Sequence, residues 1–453
     1  MSHTILIAHY ILWGAVMVMA GFTLRAYRGV SVLAVFSLAI ALQVGTFCAF
    51  AGDFPLLGLT MSGASVERMA RALIIVYSLS IVFMAGLLFF RDRRGGRRTV
   101  RKVAIPRIWR IIGILLVAGL VAVRLSSAAS REVMRHGLDV VGSSRYYDLR
   151  VDLIDMNNAS SSRLANYFEA TARQVLFVML IIAAIEVAEK ASPRRIAFYA
   201  VVLGGLCFDG MLTLQKAPVL MALMAGVAPI LVAALRSGRT GAVRIALRVG
   251  MILLVVVMVS AGLYSLTEGY SVGESLNMVW ARVFEIPSST TLMHFEVYPD
   301  YLPHMYWTDL TPVRAFLGNR SLMPGDDPIS IEVARALTGQ SFNANASMVG
   351  EAWACAGYAG VALETVVMAM TCFLLDSMAR RAGRTRSLLP LGVYYWLGFP
   401  VFGNISIFPI IVQQALWLVP ALYCLVLPVR GPKHDDVTGD GPGLESSAPA
   451  VAS

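Results

Sequence analysis

The sequence predicts an all-α fold, a polytopic bundle of transmembrane helices. Hydrophobic residues make up 57% of the 453 residues and charged residues only 15%, whereas soluble domains carry about 25% charged residues. The charges lie between apolar runs of roughly 20 residues, long enough to cross a hydrocarbon core of about 30 Å as helices. Because backbone groups in lipid must be satisfied internally, a helical bundle is the expected architecture.

Eleven apolar runs define the predicted spans. They lie at about 5–24, 29–50, 72–90, 108–125, 175–188, 196–214, 219–235, 249–266, 355–377, 388–402 and 407–429. The membrane domain therefore covers 1–429. The Gly-, Pro- and Ser-rich residues 430–453 lack apolar periodicity and are predicted to form a disordered cytoplasmic tail.

Basic residues gather in alternate connections between the spans, for example in 91–107 and 236–248. The positive-inside rule makes these connections cytoplasmic, so the N-terminus is extracytoplasmic and the C-terminus cytoplasmic. The net charge of +10 follows from this orientation signal, and no nucleic-acid partner is predicted. Two long connections, 126–174 and 267–354, then lie outside, where we expect the functional residues.

The first long connection is rich in arginine although it is predicted to be extracytoplasmic. Guanidinium groups bind phosphate or carboxylate with two hydrogen bonds. Tyr147 and Arg150 form its best candidate site, because an aromatic ring stacks on a sugar while an arginine takes an anion, and Arg163 follows. The alternative is an ordinary loop that faces solvent or lipid headgroups.

Four further residues are candidates for chemistry. Lys216, in the tight turn 214–218, would either meet a lipid pyrophosphate at headgroup depth or snorkel to the interface. Arg282 and His294 lie among aromatic residues, and His294 suits either a general acid or base or a structural hydrogen bond. Glu351, at the start of the ninth span, is either a base or half of a structural ion pair.

Motifs for nucleotide and metal chemistry are missing. The sequence contains no P-loop, no HExxH, no GxSxG and no Rossmann fingerprint. Its five cysteines are scattered without a CxxC pair. We therefore predict no metal and no cofactor.

The sequence resembles the O-antigen polymerase (Wzy-type) family and its relatives, the oligosaccharide-repeat polymerases. The resemblance rests on the order of the spans with a long outer loop late in the chain, on the basic residue in 214–218, and on the stretch 345–360, NASMVGEAWACAGYAG. It extends over about 140–430.

Some members of that family carry an Arg-x10-Gly pattern in two outer loops. Arg131 with Gly142 and Arg314 with Gly325 both fit this pattern. Tyr147 to Arg150 matches a further arginine of the family. The resemblance thus adds Arg314 to the candidate anion-binding residues.

The resemblance implies a metal-independent, GT-C-like glycosyltransferase of the bacterial inner membrane, with no cofactor. It would transfer a growing glycan from undecaprenyl pyrophosphate onto the next lipid-linked repeat unit, as in O-antigen, capsule or exopolysaccharide synthesis. Arg282, Lys216 and Arg150 would stabilise the leaving pyrophosphate, and Glu351 or His294 would take the acceptor proton. The implied partners are the donor and acceptor glycolipids, membrane lipids, a chain-length regulator and a flippase.

Two other functions remain open at this stage. An O-antigen ligase shares the donor and the architecture but transfers the glycan to lipid A core, and it also uses a histidine of the large outer loop. A transporter or lipid flippase belongs to a different class and predicts inverted repeats and helices broken at the midplane.

Overall fold

The structure is a computed structural model. It covers residues 3–27, 29–49, 61–90, 104–127, 130–135, 163–212, 216–236, 257–266, 269–308, 329–339, 344–383 and 387–402. Within these ranges the regular secondary structure is helical throughout, without a β-strand.

The helices are named here in chain order. They are α1 (His3–Ala26), α2 (Val32–Ala39), α3 (Gly63–Phe89), α4 (Arg107–Ser126), α5 (Arg163–Glu189), α6 (Pro193–Leu212), α7 (Lys216–Arg236), α8 (Val257–Leu266), α9 (Val272–Trp280), α10 (Ile286–Val297), α11 (Ile329–Thr338), α12 (Met348–Ala382), α13 (Leu389–Leu397) and α14 (Phe399–Phe402). A first π-helical segment, Ile40–Gly45, continues α2, and a second, Ala281–Glu285, joins α9 to α10.

Six helices, α1, α3, α4, α5, α6 and α12, are long and apolar enough to cross a membrane. The predicted class, a helical membrane protein, is thereby confirmed. These helices contain or overlap the predicted spans at 5–24, 72–90, 108–125, 175–188, 196–214 and 355–377. The shortest of these predictions, 175–188, is the second half of a 27-residue helix.

The other five predicted spans are not confirmed, so the count of eleven stays a prediction. Three of them contain or overlap shorter apolar helices, at Val32–Gly45, Pro218–Ile230 and Val257–Leu266. The fourth, 388–402, is occupied by α13 and α14. The fifth, 407–429, lies outside the described residues together with the predicted tail.

A buried carboxylate joins the start of α2 to the far part of α12. Asp376 accepts hydrogen bonds from Ser31 Oγ at 2.7 Å and from the backbone N–H groups of Val32 and Leu33 at 2.8 and 3.2 Å. The first N–H groups of a helix have no partner inside the helix, and a carboxylate there satisfies them. This interaction sets the position of α2 against α12.

The helix ends fall into two sets. At one, the Arg380 guanidinium bonds to the Phe90 carbonyl, and Arg110 pairs with Glu186 at 2.8 Å. This set borders the basic connections and is called the basic end. The opposite set, where α3, α5 and α12 begin and α4 and α6 end, borders the two long connections and is called the loop end. The predicted orientation makes the loop end extracytoplasmic.

α12 is broken near its start. Ala356 (φ −155°, ψ 33°) and Gly357 (φ 57°, ψ −139°) depart from helical geometry. The helix that follows, 358–382, is roughly 37 Å long at 1.5 Å per residue and is sufficient to cross the hydrocarbon core alone. The break therefore lies toward the loop end, and 348–355 is a short separate helix.

α9, the second π segment and α10 form one continuous helical rod, because the backbone stays αR at both junctions. Pro287 lacks an N–H group and its ring crowds the carbonyl four residues earlier, which the preceding π turn accommodates. From Pro287 to Val297 every residue of α10 except Glu296 is buried. α10 is thus a core helix, packed against α3, α12 and the first π segment.

Candidate functional site

A surface at the loop end is built around the break in α12. The carbonyls of Ala354 and Cys355 accept hydrogen bonds from the backbone N–H groups of Met305 and Tyr306, at 3.1 and 2.8 Å. A break leaves such carbonyls without helical partners, and buried carbonyls require replacements. We call residues 298–308, which follow α10 and supply these donors, the docking segment.

Aromatic rings fill the space between the docking segment and α12. Trp353 stacks on Phe295 with centroids 4.6 Å apart, and its Nε1 donates to the Tyr298 carbonyl at 2.8 Å. His304 and Tyr358 meet the same indole edge-on, at 5.8 and 4.9 Å. Trp353 and Phe295 are buried, whereas His304 and Tyr358 are partly exposed.

Two arginines of α3 border this surface. Arg68 Nη2 pairs with Asp300 Oδ2 of the docking segment at 2.6 Å. Arg71 Nη2 pairs with Glu67 Oε1, also at 2.6 Å, and its side chain is 52% exposed. Both guanidinium groups lie near the Tyr358 hydroxyl. The surface therefore offers positively charged hydrogen-bond donors and negatively charged acceptors beside aromatic rings.

Sequence reasoning does not select Arg68 or Arg71. The predicted third span begins at residue 72, which leaves both arginines in a short connection without an obvious role. One signal was available: two cations one helical turn apart follow Ser62, which caps α3 by accepting a bond from the Ser65 N–H. They precede an apolar run on the side where the positive-inside rule disfavours them.

Glu351 lies in the first turn of α12, is half-buried and takes part in a polar or electrostatic interaction. Its neighbour Gly350 lets α12 approach α10 closely. A Cβ at Gly350 would lie 3.4 Å from His294 Cγ and 3.4 Å from Thr291 Cα. The structure thus brings the two predicted catalytic residues, Glu351 and His294, to one pair of packed helices.

His294 is fully buried. Its Nδ1 lies 2.9 Å from the Thr290 carbonyl, and its Nε2 has no partner among the described residues. Burial lowers the pKa of His294 to about 4, against a smaller opposite effect of the bond to Thr290. The ring is neutral near pH 7 and enclosed by protein, which favours the structural interpretation over the catalytic one.

Acidification is expected to destabilise the protein through His294. The folded pKa of about 4 lies below the unfolded value of 6.5, so the contribution to stability is complete above pH 6.5 and is lost as the pH falls toward 4. Between pH 7.5 and pH 5 the free energy of unfolding should fall by about 2 kcal/mol on account of this residue.

Chemical unfolding in detergent micelles at several pH values checks this expectation. The variant His294→Gln, which does not titrate, should have a flatter pH dependence over the same interval. An identical slope in the variant and the wild type would show that His294 does not carry the effect.

Arg282 lies on the second π segment, exposed, and pairs with no carboxylate in the part of the chain that the structure describes. Beside it, Trp280 and Phe284 pack together with centroids 4.5 Å apart. Along the helical rod Arg282 is roughly 18 Å from His294 at 1.5 Å per residue. It is therefore available to an anion, at some distance from the break in α12.

The remaining predicted site residues are only partly described. Lys216 and Arg163 are the first residues of α7 and α5, both at the loop end, and only their backbones are described. Tyr147, Arg150 and Arg314 lie outside the described residues. Their roles stay predictions.

A separate cluster of charged side chains, centred on a buried aspartate, lies at the loop end. Asp209, 1% exposed, accepts hydrogen bonds from Arg124 Nε at 2.8 Å and from Arg173 Nε and Nη2 at 2.8 and 2.7 Å. Arg124 Nη2 also pairs with Glu169 Oε2 at 2.6 Å. We call these four residues the charge network. Its formal charges cancel, and it ties the ends of α4 and α6 to the start of α5.

Metal-ligand groups are not evident in the described ranges. No three histidine, cysteine, aspartate or glutamate side chains there come together as metal ligands.

Comparison with known proteins gives no relative. No protein-family model matches the chain. No curated protein and no solved structure matches it either. The resemblance to O-antigen polymerases consequently rests on the residues quoted above, and any function must be argued from the site itself.

Proposed function

We propose that this protein is a glycosyltransferase of the bacterial inner membrane that joins lipid-linked oligosaccharide repeat units into a polysaccharide. The observation that carries the proposal is the surface at the break in α12. There the short helix with Glu351, the arginines Arg68 and Arg71 and the rings of the docking segment meet at the loop end. Charged groups of both signs beside aromatic rings suit a sugar with its hydroxyls.

The reaction breaks the bond between the anomeric carbon of the donor glycan and the pyrophosphate oxygen. A hydroxyl of the acceptor repeat unit forms the new bond to that carbon and loses its proton to a base. Glu351 is the candidate base, because it is partly exposed and belongs to the short helix that borders the surface, whereas His294 is enclosed. Undecaprenyl pyrophosphate leaves and carries the negative charge.

Cations are needed where that charge develops. Arg282 is exposed and has no carboxylate partner among the described residues, which supports its assignment to the lipid pyrophosphate. Lys216 and Arg163 begin helices at the same end. Arg68 and Arg71 are already paired with carboxylates, which suits hydrogen bonding to sugar hydroxyls better than neutralisation of a pyrophosphate.

The position of the break also bears on the transporter alternative. Transporters with broken helices bind their substrate near the bilayer midplane. The break in α12 lies instead at its loop end, with roughly 37 Å of continuous helix beyond it. This placement supports chemistry at one membrane surface.

Glycan length in a deletion strain tests the proposal. The strain is complemented with the wild type or with Glu351→Gln, Arg71→Ala, Arg282→Ala or Lys216→Ala, and membrane expression is verified. Loss of a general base should reduce chain extension about 10²-fold or more, so Glu351→Gln should leave mostly single repeat units. Arg381→Ala, an exposed arginine at the basic end, should behave as wild type.

Other outcomes would assign a different function. Long lipid-linked chains that accumulate in the deletion strain without reaching their final acceptor would identify a ligase. Repeat units that never reach the outer leaflet would identify a transporter. Unchanged glycan length in the deletion strain would refute a role in polymerisation.

A further inference from the structure

The docking segment holds its aromatic residues in an unusual backbone conformation. Tyr306 and Trp307 have positive φ angles of 49° and 59°. Non-glycine residues adopt this region rarely, and bulky ones persist there only when their surroundings fix them. The surroundings do so here, because the Tyr306 N–H bonds to Cys355 and the Trp307 Nε1 donates to Glu364 Oε1 at 2.7 Å.

Two tyrosines of the segment lie at the surface. Tyr301 is 62% exposed and Tyr306 is 59% exposed. Both lie outside the six helices that are able to span a membrane. Neither ring contributes to the core, so core packing does not explain large aromatic residues at these positions.

The neighbouring charges indicate what kind of molecule these rings meet. Asp300 stands next to Tyr301 in sequence and is 53% exposed, and it bonds Arg68 at 2.6 Å. Glu296 accepts from the Ser62 hydroxyl at 2.9 Å on the same side. Exposed carboxylates repel the phosphates of lipid headgroups, whereas carboxylates and arginines together match hydroxyls, which both donate and accept hydrogen bonds.

We propose that Tyr301 and Tyr306, held by the docking of 298–308 on the break in α12, form a carbohydrate-binding surface for the neutral sugar rings of the glycan. The flat faces of the rings stack on the apolar face of a sugar, and Arg68 and Asp300 bond its hydroxyls. This inference rests on the proposed function for the identity of the glycan. It adds a subsite that binds sugar without taking part in bond formation.

Direct binding tests the inference separately from catalysis. Full-length protein in lipid nanodiscs is titrated with oligosaccharides released by mild acid from the host's own surface polysaccharide, and binding is followed by calorimetry. Tyr301→Ala and Tyr306→Ala should each weaken binding by about tenfold. Tyr306→Phe should bind as wild type, since the ring is kept. Phe89→Ala, an exposed aromatic residue at the basic end, is the matched control.

Each result decides the inference. Wild-type affinity in both alanine variants, or no binding by the wild type, overturns it. Equal loss in Tyr306→Phe and Tyr306→Ala overturns ring stacking. Unchanged affinity with poorer reconstitution of the alanine variants into nanodiscs would make the rings lipid anchors and also overturns it.

The proposed function can fail independently. If the wild type binds the oligosaccharides and the tyrosine variants do not, while glycan length in the deletion strain is normal, the polymerase proposal fails and the sugar-binding surface stands. If the deletion strain makes only single repeat units and both tyrosine variants bind normally, the polymerase proposal stands and this inference fails.

Discussion

Substitution of Asp209 by alanine is expected to lower the free energy of unfolding by about 3–5 kcal/mol, as when one partner of a buried ion pair is removed. Asp209 is the hub of the charge network, with three hydrogen bonds from two guanidinium groups. Its removal leaves Glu169 as the carboxylate of the charge network beside Arg124 and Arg173. Asp209→Asn retains a hydrogen-bond acceptor and should cost less.

The measurement is the unfolding equilibrium of the purified protein in mixed micelles, with folded yield by size-exclusion chromatography as a second readout. Glu67→Ala is the matched control, because it removes one partner of the half-exposed Arg71–Glu67 pair. Exposed ion pairs contribute at most about 1 kcal/mol. If Asp209→Ala and Glu67→Ala lowered the free energy of unfolding equally, the charge network would not stabilise the fold more than an exposed ion pair does.

The class of the fold follows from the sequence because lipid restricts the choices. Long apolar runs must be helices in a membrane, and the positions of six spans depend on little more than length and composition. Length and composition determine the shorter predicted spans less well. Residues 29–50 become a helix of ordinary geometry followed by a π segment, Ile40–Gly45, whose position depends on contacts with α1, α3 and α10. No local pattern in the sequence records such contacts.

The candidate site is harder to predict than the fold, because its parts come from separate helices. Glu351 could be selected, since a carboxylate at the edge of a span requires a partner. Arg68 is recognised as part of the site only through its hydrogen bond to Asp300, which lies 232 residues away in the sequence. Arg124 likewise depends on Asp209, 85 residues away. Pairings at such separations are consequences of packing, so single-sequence reasoning finds one partner at most.

The glycines of the stretch 345–360 also differ in how far the sequence predicts their roles. Glycines in membrane helices commonly allow two helices to approach each other closely. Gly350 does this, since α10 lies against it. Gly357 has a different role: its φ of 57° and ψ of −139° form the break itself. Gly360 then packs against the short helix that precedes the break.

Gly360→Ala is expected to disrupt the break and with it the docking segment. A Cβ at residue 360 would lie 2.1 Å from the carbonyl oxygen of Ala352. That oxygen belongs to the backbone, which cannot turn aside as a flexible side chain does, and tightly packed interiors transmit such strain. Gly357→Ala should cost about 1–3 kcal/mol, since alanine is strained at this backbone conformation.

The matched control is Gly204→Ala in α6, where a Cβ meets nothing within 4 Å. Alanine is favoured over glycine inside helices by up to about 1 kcal/mol, so this variant should be as stable as the wild type or more stable. Unfolding in micelles and glycan length in the complemented deletion strain are measured for all three variants.

Stability and glycan length, measured together, distinguish a structural role of the break from a functional one. The proposed function requires the break to hold the short helix with Glu351 in place. Gly357→Ala, the milder variant, should therefore shorten the glycan at a temperature where it is still folded. If Gly357→Ala and Gly360→Ala both leave glycan length intact while lowering stability, the break serves only the packing of α12, and the chemistry must be sought nearer to Arg282.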